Sequence, residues 1–220
     1  MMSFMTDRHV KVVLDGKAGE THRVDTGVPQ ESPAAPILFV TYLSDVFGEV
    51  EREVAGISVL SFVDDIGWWA EGNDEKEVAA KLSEAATASI SWAEQNGVVF
   101  DHGKTEVAIF RKEKTTPTAK VTVGSNVVPF NKAAARWLGI WLDSQLTLKE
   151  HHATRLKDGR NTMSRLKRLA GQMVFSPENC RKVLTACIQS VAMFGAELWW
   201  EGTEKQGTIG RANELQLLVN

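Results

Sequence analysis

Two adjacent aspartates, Asp64 and Asp65, are the residues of this sequence best suited to chemistry. They stand between the apolar runs "ISVLSFV" and "IGWWA". Because adjacent like charges repel and aspartate is a poor strand former, the pair is expected at a turn between two strands. Carboxylate oxygens at a rigid hairpin tip suit Mg²⁺, which prefers hard oxygen ligands. A plain polar turn is the alternative, since aspartate is common in turns for local hydrogen-bonding reasons.

A metal site at this hairpin needs more than two aspartates. Two neighbouring carboxylates cannot complete the octahedral shells of two metal ions by themselves. A third carboxylate from a neighbouring strand is therefore expected. From the hairpin alone, a metal site and a polar turn both stay open.

The charges of the chain are unevenly distributed. The formal net charge is −3, but residues 45–77 hold ten acidic residues against two basic ones, whereas residues 149–182 hold nine basic residues against three acidic ones. This asymmetry is typical of a cation site beside a surface that binds a polyanion. Two solvated faces without a ligand are the alternative.

Periodicity and turn signals predict the elements around the aspartates. A hairpin with its turn at Asp15-Gly16 is followed by a proline-rich loop and an amphipathic helix from Pro36. A second helix begins at Asp74 and ends at Gly97, with Asp74 and Glu77 in a capping-box pattern. The apolar stripes are Ile37, Val40, Leu43, Val46, Phe47 and Val50 on the first helix, and Val78, Leu82, Ala85, Ala86, Ile90 and Ala93 on the second.

The second half of the chain changes from strands to helices. The segments "TEVAIF", "KVTVG", "NVVPF" and "RWLGIWLD" predict strands, and residues 149–171, 177–195 and 203–219 predict helices. A domain boundary is expected near Asp143, where the composition shifts. Cys180 and Cys187 are expected as buried, reduced thiols. Neither a membrane span nor a signal peptide is indicated, so an intracellular protein of the nucleus or cytoplasm is expected.

Four motifs in order resemble the palm of reverse transcriptases, specifically those of LINE-type (non-LTR) retrotransposons. They are "GVPQESPAAPILF", "FVDD", "DHGKTE" and "LGIWLD". Each motif is weak alone, but their order and spacing match over roughly residues 3–202. The resemblance implies an α+β fold: a partial palm, with a ferredoxin-like sheet and packed helices, over residues 1–143. A helical thumb over 144–202 and the start of a downstream helical region over 203–220 would follow.

The resemblance also implies a function, RNA-directed DNA polymerisation with Mg²⁺ as cofactor. A primer 3′-hydroxyl would attack the α-phosphate of a dNTP, and two metal ions would stabilise the charge. Asp64 would be a catalytic metal ligand, Asp65 a looser ligand or a shaper of the tip, and Lys104 would reach the triphosphate. Two further sets would contact nucleotide or nucleic acid: Pro29, Gln30 and Ser32 near the template and incoming nucleotide, and Arg155, Arg160, Arg165, Lys167 and Arg168 on the RNA template and DNA primer.

Several of these residues have a simpler interpretation. Lys104 could be an ordinary solvated lysine, and Gln30 could hold its own loop together. The tryptophans are expected to pack rather than to stack on bases, with Trp68 and Trp69 on opposite faces of a strand. His151 and His152 open the basic helix and are expected to be solvated or near phosphate. No oligomeric state is indicated.

Two departures from the family matter. Its other metal-binding aspartate and its fingers precede the Pro-Gln loop, and the sequence begins too late to contain them. Glu31 stands where the family has glycine, which adds bulk and negative charge. We therefore expect a reverse transcriptase truncated at its N-terminus and inactive alone. Without the missing strand, the Asp-Asp hairpin and the strand after Lys104 are expected to pair with each other, to rearrange, or to leave exposed edges. The alternatives are a non-catalytic nucleic-acid-binding remnant and a degenerate, non-functional element copy.

Overall fold

The structure, a computed structural model, describes residues 5–29, 31–112, 115–130, 134–170 and 176–198. The chain divides into two compact units, Met1–Gly103 with Lys120–Val127, and Lys104–Ala119 with Val128–Asn220. Helices and small two-stranded sheets alternate along the chain, which is compatible with the predicted α+β class. The three predicted domains stay predictions, since compact units describe packing and not function.

The first unit opens with the predicted hairpin. Strands β1 (Arg8–Leu14) and β2 (Lys17–Val24) pair antiparallel, and Leu14 lies opposite Lys17. The two turn residues between them, Asp15 and Gly16, have φ of 49° and 75°. Positive φ at both positions matches the right-handed twist of a hairpin, and aspartate and glycine tolerate it best.

The core of the first unit forms between two helices and the hairpin that holds the aspartates. Helix α1 (Ala35–Glu53) leads to strands β3 (Ile57–Phe62) and β4 (Asp65–Ala70), and helix α2 (Glu75–Gln95) follows. The buried side chains are Leu43, Val46, Val50, Val54, Ile57, Ala85, Ala88, Trp92 and Ala93. The predicted stripe of α1 is confirmed at Leu43, Val46 and Val50, whereas Ile37 is exposed near the start of the helix.

Helix α2 begins and ends where the sequence predicts. The Asp74 side chain accepts a hydrogen bond from the Lys76 N–H at 3.0 Å, and Gly97 has φ of 65° just beyond the C-cap. Glu77 forms an ion pair with Lys81 at 2.7 Å. Of the predicted stripe, Ala85 and Ala93 are buried and the other four residues are half-buried. The buried face is wider than the stripe, because the helix packs both on α1 and on strand β5 (Lys120–Val123). This wider face includes Ala79, Ala88, Ser89 and Trp92.

Two strand predictions in the second half are wrong. The segment "TEVAIF" forms no strand, only one bridge between Val107 and Phe130, because a strand needs a continuous ladder to a partner. The segment "RWLGIWLD" is a hairpin of β7 (Ala134–Trp137) and β8 (Ile140–Asp143), not one strand. Leu138 and Gly139 form its turn with φ of 47° and 81°. The predicted strands in "KVTVG" and "NVVPF" are confirmed as β5 and β6 (Asn126–Pro129), which pair with each other.

The helices of the second unit follow the predicted order. Helix α3 spans Lys149–Ala170, and α4 (Pro177–Val183) continues through a π-helical segment, Leu184–Gln189, into the single turn α5 (Ser190–Ala192). The Ser176 hydroxyl accepts from the Asn179 N–H at 3.3 Å at the predicted helix start. The predicted helix over 203–219 lies outside the described residues.

Two further predictions concern the burial of the cysteines and the absence of a membrane span. Cys187 is an exposed free thiol, so its predicted burial is wrong: it lies on the open side of the π-helical segment. The side chain of Cys180 lies outside the described part. Among the helices of the described ranges, none combines the length and apolar character needed to cross a membrane.

Candidate active site and nucleic-acid surface

The Asp64-Asp65 pair lies at the tip of the β3–β4 hairpin. Phe62 pairs with Asp65, so Val63 and Asp64 alone form the turn. Val63 has φ of 55°, and only the first turn residue has positive φ, as in a type II′ turn. Glycine is the usual residue there, since a β-branched side chain at positive φ is strained. The hairpin therefore holds Asp64 through a short, conformationally restricted turn.

One face of this hairpin is anchored in the core. Ile57 belongs to the buried cluster, and Ile66 and Trp68 pack against it. The Trp68 ring meets the Phe47 ring of α1 edge-on, with centroids 6.5 Å apart. Trp69 is on the opposite face and donates from Nε1 to the Glu71 carboxylate at 3.2 Å. The predicted division of the two tryptophans is confirmed, because successive side chains of a strand alternate between faces.

The other face of the hairpin is open. The side chains of Leu60 and Phe62 both lie on this face of β3, and each residue is 58% exposed. Among the described residues, β3 and β4 pair only with each other. Pairing of this hairpin with a strand after Lys104, one of the expected outcomes, is not found among the described residues, since that segment forms only the Val107–Phe130 bridge there. Within the same residues, both edges of the β3–β4 sheet have no strand partner, as the expectation of exposed edges predicts.

The aspartates alone do not fit a complete metal site. Asp64 and Asp65 are both exposed, and carboxylate oxygens are the donors that Mg²⁺ prefers. Within the ranges that the structure describes, however, no three His, Cys, Asp or Glu side chains come together as a group that could hold a metal ion. Two adjacent carboxylates fall short of the shells that two ions need.

The loop before α1 holds the predicted template residues. Pro29 is half-buried, and Gln30 lies outside the described residues. Ser32 supports the start of α1, because its hydroxyl accepts from the Ala34 N–H at 3.4 Å and its carbonyl accepts from the Ala35 N–H at 3.0 Å. Glu31 is exposed with φ of 63°, in the left-handed region that favours glycine.

Lys104 ends a short 3-10 helix, His102–Lys104, and is exposed. The Asp101 carboxylate accepts from the Gly103 N–H at 3.0 Å and fixes the turn before it. Lys104 belongs to the second compact unit, whereas the aspartates belong to the first. Its predicted contact with a triphosphate therefore stays a prediction.

The exposed side of α3 carries a row of cations, here called the basic face. It consists of Lys149, Lys157, Arg160, Arg165, Lys167 and Arg168, all of them exposed. At 3.6 residues per turn these positions fall within an arc of about 160°. The two acidic residues of this helix are Glu150, which is exposed, and Asp158, whose side chain is 44% exposed and lies 3.7 Å from Arg155. The predicted set of Arg160, Arg165, Lys167 and Arg168 thus shares one solvent-facing surface.

Arg155 is placed differently from the other predicted nucleic-acid contacts. Its side chain is 14% exposed, and Nη1 lies 3.7 Å from the Asp158 carboxylate. Nη2 donates to the Gly139 carbonyl at 2.7 Å, and the guanidinium lies over the Phe194 ring, 5.0 Å from its centroid. These contacts indicate that Arg155 stabilises the second unit.

Two polar residues have roles that the sequence did not predict. His151 is fully buried, so the expectation of a solvated histidine is wrong: its ring is enclosed by β8 and by the segment around Phe194. The Asp143 carboxylate accepts from the Gln145 N–H at 3.1 Å and from the Thr147 N–H and hydroxyl, both at 3.0 Å. No local pattern signals the burial of His151, because Phe194 is 43 positions away. The contacts of Asp143 lie within four residues and form a local turn that the sequence could have indicated.

Comparison with known proteins decides the family. The family model described as reverse transcriptase (RNA-dependent DNA polymerase) matches residues 1–142, which is well over half of the chain. The chain belongs to the reverse transcriptase family. The predicted membership, a reverse transcriptase of LINE-type retrotransposons, is confirmed. No solved structure matches the chain significantly.

Three curated relatives of this reverse transcriptase chain illustrate the similarity. A retrovirus-related Pol polyprotein from a type-1 retrotransposable element of Nasonia vitripennis is 28% identical over 57% of the chain and 31% of its own length. The probable RNA-directed DNA polymerases from transposon X-element and transposon BS of Drosophila melanogaster are 27% and 22% identical over 69% and 98% of the chain, and over 16% and 24% of their own lengths. The chain thus spans less than a third of each relative.

Proposed function

We propose that this chain supplies the Asp-Asp hairpin and the duplex-gripping helices of a retrotransposon RNA-directed DNA polymerase. The observation that carries the proposal is the exposure of Asp64 and Asp65 at the tip of a two-residue turn on an anchored hairpin. A rigid scaffold that presents carboxylates to solvent is what a phosphoryl-transfer site requires. The substrates would be an RNA template, a DNA primer and dNTPs.

In this proposal each predicted residue has one task. Asp64 and Asp65 present oxygen ligands and negative charge at the hairpin tip, and Lys104 offers a mobile cation to a triphosphate. Residues 1–143 act as part of a palm, and 144–202 act as a thumb. Mg²⁺ is the cofactor typical of the family, and the two carboxylates would bind it only together with a further carboxylate. The chain by itself is therefore proposed to be inactive, and it would act in the nucleus or cytoplasm.

A hairpin exchange tests this proposal. Residues 57–72 replace the corresponding hairpin in an active reverse transcriptase from a related retrotransposon, and RNA-templated primer extension is measured with Mg²⁺. We expect the chimera to extend the primer and Asp64→Asn to lower its rate on the order of 1,000-fold, as several kcal/mol of lost transition-state stabilisation would.

The matched control is Glu71→Gln, which changes another acidic side chain of the same segment. It should leave the rate of the chimera nearly unchanged. Equal losses for Asp64→Asn and Glu71→Gln would refute the assignment of the hairpin. Extension by the isolated chain, abolished by Asp64→Ala, would refute its proposed inactivity.

A second candidate function is nucleic-acid binding without catalysis. The basic face of α3 favours it, since its six exposed cations outnumber the two acidic residues of the helix, Glu150 and Asp158. Such a surface binds phosphates without reading sequence, and its affinity falls steeply with salt. Binding of an RNA–DNA hybrid at low salt by the isolated chain supports this candidate, and no binding at low salt contradicts it.

A further inference from the structure

His151 is a buried histidine that the proposed polymerase function does not use. It lies in the first turn of α3 and is 0% exposed. Its Nδ1 is 3.3 Å from the backbone nitrogen of Trp141, and its Nε2 is 2.8 Å from the carbonyl oxygen of Phe194. Both ring nitrogens therefore have a backbone partner, on two different segments of the second unit.

These two partners determine the protonation of the ring. A backbone N–H can only donate, so Nδ1 must accept and carries no proton. A carbonyl can only accept, so Nε2 must carry the proton and donate. The ring is therefore a neutral imidazole of one tautomer, and protonation at Nδ1 would remove the only acceptor that it offers to Trp141.

The position of Trp141 in its hairpin explains why this acceptor matters. Trp137 and Ile140 close the two-residue turn, so the next pair, Arg136 and Trp141, falls at a position where the strands exchange no hydrogen bonds. The Trp141 N–H points away from β7 and needs an acceptor elsewhere. His151 Nδ1 supplies it, since an unpaired buried N–H would be costly.

The segment around Phe194 is fitted closely to the same ring. Gly195 has φ of 72°, and a Cβ there would lie 2.5 Å from Ile140 Cδ1 and 3.0 Å from His151 Nε2. Arg155 joins the same segments a second time, through the Gly139 carbonyl and the Phe194 ring. We call His151 with its partners Trp141 and Phe194 the histidine latch, because it connects β8, α3 and the Phe194–Gly195 segment.

We propose that the histidine latch is a pH-sensitive connection that opens when His151 is protonated. Protonation would turn Nδ1 into a donor facing the Trp141 N–H and would place a positive charge beside Arg155. Glu197, in the 3-10 helix Ala196–Leu198, opposes this effect. The β7–β8 hairpin carries two charged residues. Asp143 of β8 accepts hydrogen bonds from Gln145 and Thr147, and Arg136 of β7 is exposed.

The electrostatics support the direction of this effect. Burial lowers the pKa of His151 most, and Arg155 lowers it further, against opposing contributions from the Phe194 hydrogen bond and Glu197. A histidine with a lowered pKa binds fewer protons in the folded than in the unfolded state. Its contribution to stability is therefore complete above the unfolded pKa of about 6.5 and is lost as the pH falls through the folded pKa.

NMR of the full wild-type chain tests the latch directly. Long-range ¹H–¹⁵N correlations at about pH 7.5 should show His151 with a proton on Nε2 and none on Nδ1, and its titration midpoint should lie below the ordinary histidine value of about 6.5. Hydrogen exchange at the Trp141 amide should lose protection, relative to other amides of β8, as His151 becomes protonated. A proton on Nδ1 at neutral pH, or a midpoint at or above the ordinary value, would overturn the proposal.

Urea unfolding between about pH 8 and about pH 5 gives a second test. The wild-type midpoint should fall with pH, and His151→Gln should remove at least half of that fall, because glutamine can still donate to the Phe194 carbonyl but does not titrate. His22→Gln, at an exposed histidine, should leave the fall unchanged. An undiminished fall in His151→Gln would contradict the latch, and if this variant does not fold, the NMR result decides.

Discussion

The backbone of Phe62 pairs with that of Asp65, so the whole turn of the Asp-Asp hairpin consists of Val63 and Asp64. A turn this short leaves the backbone of Asp64 little freedom. It also forces Val63 to positive φ, where a β-branched side chain is least tolerated. The hairpin tip thus combines an exposed carboxylate with a strained neighbour, a combination that recurs at functional sites.

Replacing Val63 with glycine should relieve this strain. Backbone strain of this kind costs roughly 1–3 kcal/mol, and the added freedom of glycine in the unfolded chain offsets roughly 0.5–1 kcal/mol. We expect Val63→Gly to raise the free energy of unfolding by about 1 kcal/mol, measured by urea denaturation. Val63→Ala keeps the Cβ and should bring little gain. Equal gains in the two variants would assign the strain to the branched side chain and not to the positive φ, and no gain in either would show that Val63 is not strained.

Glu31 presents the same backbone problem with an added charge. Its φ of 63° suits glycine, the residue that the reverse transcriptase motif has at this place. Glu31→Gly should stabilise the fold by about 0.5–1 kcal/mol through relief of the left-handed conformation. Glu31→Ala removes the same charge but keeps the Cβ, so it should stabilise less.

The same two variants separate strain from charge in nucleic-acid binding. Both remove a carboxylate from the loop, so both should tighten binding of an RNA–DNA hybrid to a similar extent if the loop lies near phosphates. If Glu31→Gly alone tightens binding, backbone freedom and not charge is responsible. Unchanged binding in both variants would place the loop away from the nucleic acid.

The basic face of α3 predicts a defined salt dependence. The triple variant Arg165→Ala, Lys167→Ala, Arg168→Ala removes three exposed cations from one end of this face. The slope of log affinity against log salt for an RNA–DNA hybrid should become shallower by about 2–3, since each phosphate contact contributes about 0.7–0.9. Fluorescence anisotropy over a salt series measures this slope.

The control for this experiment removes the two cations of the acidic segment, residues 45–77. Arg52→Ala with Lys76→Ala changes two exposed cations there and should leave the slope nearly unchanged. A similar change of slope in both variants would mean that binding follows net charge and not the basic face.

The features that could be predicted from the sequence depend on neighbours along the chain. The Asp15–Gly16 turn, the Asp74 cap and the Gly97 stop each involve residues within a few positions, so the local sequence contains the whole signal. The Asp-Asp hairpin belongs to this group as well, because its apolar flanks and the acidic tip are contiguous. The family motifs indicated the family, which none of these local signals contains.

The features that could not be predicted depend on distant partners. Val107 lies in an apolar segment, but only one bridge to Phe130 forms there, and no local pattern shows whether a ladder will extend. His151 is buried through contacts with Trp141 and with Phe194, which is 43 positions away. Gly139 is a local signal for the turn at Leu138–Gly139. The family motif implies one continuous strand over this segment, so the turn was not predicted.

Asp143 should make the stability of the second unit sensitive to acid. Burial raises its pKa, but hydrogen bonds from the backbone and hydroxyl of Thr147, and from the backbone of Gln145 and Leu148, outweigh this and hold the pKa below its usual value. A carboxyl with a lowered pKa contributes stability that is present above its unfolded pKa and is lost as the pH falls through its folded pKa. Asp143→Asn keeps one acceptor oxygen without the charge and should lower the free energy of unfolding by about 1 kcal/mol near neutral pH.

The measurement is urea unfolding of the wild type and Asp143→Asn from about pH 7 down to about pH 2. The difference between them should be largest near neutral pH and should shrink towards the acid end, where the wild-type carboxyl is protonated as well. Asp45→Asn, at an exposed aspartate of α1, should show little difference at any pH. A difference for Asp143→Asn that stays constant over the whole range would mean that the geometry of the side chain, and not its charge, holds the loop between β8 and α3.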